Sequence, residues 1–155
     1  MAQKFYVLNI TKEAFLSLGV SKADTTFTRL CGLLGRRRLH PEDGLWIVPS
    51  QGIHTFGMLF AIDAVYLNKN ERVVEFAEHL SPFRIGPIRT GAHSVIELPL
   101  HSIQASQTEI GDQFLILPAE QMVQYLEHRE AFQARDAALQ EPAKERRKAA
   151  GRNAS

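Results

Sequence analysis

The sequence has one cysteine, a net charge of only +1 and no long apolar run. A single cysteine, Cys31, cannot form a disulfide within the chain, and its apolar surroundings favour a small buried hydrophobe. The near-neutral charge argues against a dedicated nucleic-acid-binding protein, which normally carries a basic excess. Charged residues interrupt every apolar stretch before the roughly 20 residues that a membrane-spanning helix needs.

Local catalytic and metal-binding motifs are also lacking. The six histidines are dispersed, without His, Cys or Asp partners at the short spacings of zinc motifs. The sequence contains neither a nucleophile elbow nor a phosphate-binding glycine-rich loop. We therefore predict no cofactor, no metal and no catalytic residues from motifs. The start of the chain, Met1–Val7, has no apolar core typical of a secretion signal, so we expect a cytoplasmic protein.

The chain is long enough to form a hydrophobic core, and its composition changes clearly near its end. Its 155 residues can bury a core without disulfides or metals. Short apolar strands predict a single β barrel-like domain over residues 1–118. Pro118 and the acidic residue that soon follows it are typical of a helix start, and we predict a C-terminal helix over 119–139. Residues 140–155 are polar and basic, which favours a disordered tail.

Two β-hairpins are the strongest local predictions. Phe5–Ile10 and Ala14–Val20 are separated by a three-residue loop. Further along, residues 68–70 make a tight connection between the apolar run Met58–Leu67 and Arg72–Ala77, so these two strands should pair antiparallel.

A short helix is predicted after the first hairpin, since apolar residues recur at i, i+3, i+4 and i+7 from Phe27 and Gly35 can end the helix. Leu45–Val48 and Ser94–Leu98 are further strands, the latter with Glu97 inside it. The predicted fold class is mainly β (α+β): a compact antiparallel β barrel-like domain with this helix and a C-terminal helix.

A polar cluster coincides with the most apolar part of the chain. Asp63 is the only charge in the run Met58–Leu67, and a buried carboxylate must reach the surface, accept backbone hydrogen bonds or meet a cation. His54 and Thr55 lie just upstream. If the chain bends near Gly57, Asp63 could orient His54 as an acid, base or ligand. The alternative is structural, with His54 and Thr55 capping a turn and Asp63 holding the fold.

Two arginines add positive charge near the predicted helix. Arg29 and Arg36 are seven residues apart and would share a helix face, from which either could pair with Asp63 or meet an anionic ligand. The alternative is that both are solvated.

Several segments occur together in a recognisable order and spacing: residues 27–36, 44–49, 53–58, 62–67, 97–99 and 111–112. In this combination the chain resembles domain-of-unknown-function family 192 over roughly Phe5 to Leu117. The resemblance implies a compact, mainly β barrel-like domain of bacterial and archaeal origin with no established reaction. The recurrent polar positions of the family correspond to Arg29, Arg36, His54, Thr55, Asp63 and Arg84.

Three hypotheses for function follow. The leading one is a non-enzymatic binding module whose polar site at the barrel mouth takes a small polar or anionic ligand or a protein partner. The second is a hydrolase or transferase that uses His54 with Asp63. The third is a docking protein that acts through its C-terminal helix and basic tail.

Overall fold

The structure is a computed structural model and describes residues 3–131 and 133–134. Two compact units divide at Ala119 and Glu120. The first contains a seven-stranded sheet of order β5-β4-β6-β3-β2-β1-β7 and two short helices. The strands are β1 (Lys4–Asn9), β2 (Ala14–Ala23), β3 (Asp43–Ile47), β4 (Ile62–Leu67), β5 (Val73–Leu80), β6 (Ser94–Leu98) and β7 (Phe114–Pro118), and the helices are α1 (Thr26–Cys31) and α2 (Ser102–Ala105).

Both predicted hairpins are confirmed. β1 pairs antiparallel with β2, and β4 pairs antiparallel with β5. The tight turn of the second hairpin is held by Asn68, whose side-chain oxygen accepts from the backbone N–H groups of Asn70 and Arg72 at 2.9 and 3.1 Å. An Asn side chain that bonds the backbone two residues on is the reason this residue type favours turns.

The sheet is mixed rather than wholly antiparallel, which corrects the prediction. β2 and β3 run parallel, with Val20 opposite Gly44 and Ala23 opposite Ile47. Parallel neighbours need a crossover of a dozen or more residues, and the segment 24–42, which contains α1, provides one.

The sheet is not closed, so the description as barrel-like holds only loosely. β1 pairs with β7 at one edge, and β5 forms the other. The two edges are linked at one end, where the N–H of Val73 donates to the Asp112 carbonyl and the N–H of Phe114 to the Glu71 carbonyl, both at 2.9 Å.

Each face of the sheet buries its own core, because successive side chains of a strand point to opposite faces. On one face Val65 and Leu67 pack with residues that include Ile103 of α2. On the other face Ile62 and Tyr66 of the same strand belong to a second cluster with Leu33, just after α1. The candidate site lies on this second face.

Two predicted boundaries were wrong. α1 starts after Thr25, whose hydroxyl oxygen accepts from the N–H of Thr28, and it ends at Gly32 rather than Gly35. The central strand starts at Ile62 rather than Met58, because residues 55–58 form a turn in which the N–H of Met58 donates to the Thr55 carbonyl at 3.2 Å.

A helix begins directly after β7 in the sequence, and all of it except residue 119 belongs to the second unit. Residues 119–131 and 133–134 are helical, within the predicted span of 119–139. Residues 135–139 and the predicted tail, 140–155, lie outside the described residues. In the part of the chain that the structure describes, no helix is both long enough and apolar enough to cross a bilayer.

Candidate functional site

Thr55 connects the segment 52–58 to the segment 81–84, beside the second core. It is fully buried, and its hydroxyl donates to the Ser81 carbonyl at 2.6 Å while accepting from the N–H of Arg84 at 3.0 Å. The N–H of Thr55 also donates to the Arg84 carbonyl at 2.8 Å. These bonds of Thr55 therefore join its own segment to residues 81–84.

Gly57 lets the chain turn between His54 and β4. Its φ of +75° lies in the left-handed region, and an added Cβ would lie 2.5 Å from Cδ2 of Leu34. The Leu34 side chain is half-exposed and its end can move, so the backbone conformation is the main reason for glycine here.

We expect Gly57→Ala to lower the free energy of unfolding by about 1 to 2 kcal/mol, the usual cost of a left-handed conformation for a residue with a Cβ. Chemical denaturation measures this. Gly91→Ala is the matched control, because Gly91 has no positive φ and an added Cβ would meet nothing within 4 Å. Equal losses for the two variants would contradict the assignment.

A cavity of about 280 Å³ lies between α1, the end of β3, the segment 52–58 and β6. Its walls are mostly apolar, with a few polar groups among them. The lining comprises Thr26, Arg29, Cys31, Gly32, Leu33, Leu34, Ile47, Pro49, Ser50, Gly52, Ile53, His54, Phe56, Met58 and Glu97.

Glu97 is the unusual member of this lining, since its carboxyl group is buried and one of its two oxygens is not hydrogen-bonded to any described residue. The residue is only 2% exposed, and its Oε2 has no hydrogen-bond partner among the described residues. Its neighbours across the sheet are Leu45 on β3 and Ala64 on β4, neither of which has a polar side chain. Burial among such residues penalises the charged form and raises the pKa of Glu97 from 4.5 to about 8.

Three other chemically useful side chains line the same cavity. Arg29 of α1 is half-buried and donates from Nη1 to the Pro49 carbonyl at 3.4 Å. His54 is exposed, and its ring lies 5.6 Å from that of Phe56 between centroids. Cys31, the single cysteine of the chain, is half-buried at the C-terminal end of α1.

Asp63 points away from this cavity. Ala64 lies opposite Glu97, which lines the cavity, so the adjacent Asp63 faces the other side of the sheet. There its Oδ1 accepts from the N–H of His79 at 3.0 Å and its Oδ2 from the N–H of Ile103 at 3.2 Å. The bend at Gly57 therefore does not bring His54 to Asp63, and the predicted pairing of the two is not formed.

The remaining predicted site residues are not brought together with His54 and Arg29. Arg36 lies beyond the end of α1, so it does not share a helix face with Arg29, and its Nη1 lies 4.0 Å from Oδ2 of Asp43. Arg84 contacts Thr55 through its backbone, and it is exposed.

Metal binding has no geometric support within the described residues. No three His, Cys, Asp or Glu side chains among them are grouped to hold an ion. Cys31, His54 and Glu97 share one cavity without forming such a group.

Glu97 is the residue that sequence reasoning missed. Its signal was the same as that of Asp63, a single charge inside a short apolar strand, Ser94–Leu98, that is buried on both faces. The alternation of side chains along that strand places Glu97 on the opposite face from Ile96 and Leu98, which belong to the first core.

A comparison with known families matches residues 7–116 to the family described as "Uncharacterized ACR", which is domain-of-unknown-function family 192. The chain belongs to this family. Its resemblance in sequence is thus confirmed over most of the sheet domain, and the family name brings no established activity with it.

Individual relatives are similarly uncharacterised. A UPF0127 protein of Pyrococcus furiosus is 30% identical over 111 residues, covering 68% of this chain and 93% of its own length. A UPF0127 protein of Thermococcus sibiricus is 33% identical over 115 residues, covering 69% and 71% respectively. A crystal structure of a protein of unknown function from Novosphingobium aromaticivorans superposes with a TM-score of 0.62 at 17% identity, over 72% of this chain and 83% of that one. This last likeness concerns the fold alone.

Proposed function

We propose that the protein is a non-enzymatic binding module that holds a small ligand in the cavity between α1, β3 and β6. The observation that carries the proposal is the buried carboxyl of Glu97, which faces this cavity and whose Oε2 has no partner among the described residues. Buried polar groups are normally hydrogen-bonded, and an exception needs an explanation. A ligand that supplies the missing donor is such an explanation.

The shape and lining of the cavity support the same proposal. Ligand sites are typically concave and mostly apolar, with a few polar groups that fix orientation. Here Leu33, Ile53 and Met58 are buried apolar lining residues, while Arg29 and His54 supply polar groups. The volume of about 280 Å³ is just below the usual range for drug-sized ligands, so the ligand is small.

A binding role is favoured over the hydrolase or transferase alternative by the position of Asp63. A general base needs its orienting group within hydrogen-bond reach. Both oxygens of Asp63 instead accept from backbone N–H groups on the other face of the sheet. The docking hypothesis for the C-terminal helix and basic tail stays a prediction, and residues 135–155 lie outside those described.

Native mass spectrometry of the protein purified without a metal-affinity tag tests the proposal. We expect a discrete added mass on the wild-type chain that is lost in Cys31→Phe, because the larger side chain would occupy the cavity. Leu18→Phe is the matched control, since Leu18 is exposed on β2 and does not line the cavity. Spectra of the bare chain for all three proteins would contradict the proposal.

A further inference from the structure

We propose that the ligand is a small organic ammonium ion with an apolar body, and that its N–H groups donate to the Glu97 carboxylate. The inference rests on the proposed function and specifies the chemistry of that site. It combines the cavity of about 280 Å³, its mostly apolar walls and the buried lining residue Glu97, whose Oε2 has no hydrogen-bond partner among the described residues.

A cation fits this carboxyl better than an anion does. An ionised carboxylate can only accept hydrogen bonds, and an ammonium group has three donors and the opposite charge. Charge-assisted hydrogen bonds are about twice as strong as neutral ones, and attraction between charges grows as water is excluded. Above the raised pKa of Glu97, an anion held by Arg29 would share the cavity with the Glu97 carboxylate, whose negative charge would repel it. The inference therefore favours a cation over the anionic ligand that the sequence analysis also allowed.

An organic cation fits better than a metal ion. A metal needs several oxygen, nitrogen or sulfur ligands, and the described residues contain no such group. The cross-strand neighbours of Glu97 are Leu45 and Ala64, and Leu33 and Ile53 belong to the apolar lining of the same cavity. Apolar walls suit the hydrocarbon part of an organic ligand. A metal ion bound to Glu97 would find no ligands on these walls for its remaining coordination positions.

The test compares three ligands with one carbon skeleton: isoamylamine, isoamyl alcohol and isovalerate. Binding is measured by calorimetry at about pH 9, above the raised pKa of Glu97 and below that of a typical alkylamine. A second readout is the rate at which a thiol reagent modifies Cys31, the single cysteine, which a ligand in this cavity would slow. We expect the amine to bind at least about tenfold more tightly than the alcohol or the carboxylate.

Glu97→Gln identifies the group responsible. The substitution keeps the shape of the side chain and removes its charge, so we expect about a tenfold loss for the amine and little change for the alcohol. Glu78→Gln is the matched control, because Glu78 is exposed on β5 and does not line the cavity. The comparison of three ligands on the wild type needs no variant, so it remains decisive if Glu97→Gln does not fold.

Two results would overturn the inference, and they differ in what they imply for the proposed function. If isovalerate or the alcohol binds most tightly and protects Cys31, the cavity is a ligand site of another chemistry and the proposed function stands. If none of the three binds or protects Cys31, the ammonium inference fails, and the retained mass in the native spectrum then decides the proposed function separately.

Discussion

Glu97→Gln is expected to unfold at a higher denaturant concentration than the wild type at about pH 9, with the difference shrinking steadily towards about pH 4.5. The reason is the buried carboxyl on β6, whose pKa is raised from 4.5 to about 8 by burial. The native protein therefore holds a proton that the unfolded chain has released between these two values.

The sign follows from proton linkage. Between about pH 4.5 and 8 the native state binds more protons than the unfolded state, so the free energy of unfolding falls as pH rises, by about 1.4 kcal/mol per pH unit from this group. The stabilisation that the neutral carboxyl contributes is fully present below pH 4.5, and it is lost once the pH has risen above about 8. The amide that Glu97→Gln introduces does not titrate, so the variant lacks this slope.

Urea unfolding of both proteins at several pH values measures the effect. The pH dependence of the difference is the decisive quantity, because the amide of the variant also has a constant cost of burial. The exposed carboxyl of Glu78 provides the control, and Glu78→Gln should follow the wild type at every pH. Parallel curves for wild type and Glu97→Gln would show that Glu97 is not buried as a neutral acid.

Asp63→Ala is expected to destabilise the protein by about 2 to 3 kcal/mol, because it removes the acceptor of two backbone N–H groups. Asp63 is only 2% exposed, and its oxygens accept from the N–H groups of His79 and Ile103. These two bonds join the end of β5 and the helix α2 to β4. An unsatisfied buried donor costs more than the bond itself is worth, and the N–H of Ile103 is the buried one of the pair.

Denaturant unfolding gives the size of this loss, and hydrogen exchange of the Ile103 amide gives its location. Asp63→Asn should lose less, since its carbonyl oxygen still accepts one of the two bonds. Asp24→Ala is the surface control: Asp24 pairs with Lys22 at 3.3 Å where both are exposed, and its loss should cost less than about 1 kcal/mol. Equal effects of Asp63→Ala and Asp24→Ala would refute the role given to Asp63.

Local features of the fold were predictable from sequence, whereas the pairing of distant strands was not. The hairpins β1–β2 and β4–β5 follow from apolar runs joined by short polar turns, which fix both the turn and the antiparallel direction. The parallel pairing of β2 with β3 depends on how α1 and its flanking segments cross the sheet. Periodicity along the chain carries no information on that crossover.

The candidate site was likewise predictable only in part from the sequence. Because Asp63 is a lone carboxylate in an apolar strand, the sequence predicted that it needs hydrogen-bond partners if it is buried. Two backbone amides are those partners. The partners are N–H groups of His79 and Ile103, which no residue-type pattern could have identified. Glu97 has the same sequence pattern, but its apolar surroundings depend on the register that places it between Leu45 and Ala64.

The pairing of β1 with β7 has a consequence for biosynthesis. The first strand of the chain lies against the last strand of the sheet, with Phe5 opposite Pro118. On the ribosome, the hairpin β1–β2 emerges before β7, and the outer edge of β1 has no partner until translation has passed β7. An open strand edge can pair with another chain. In the interval between the synthesis of these two strands, nascent copies of this protein therefore have an open β1 edge through which they can aggregate, and a chaperone that shields β1 would act during it.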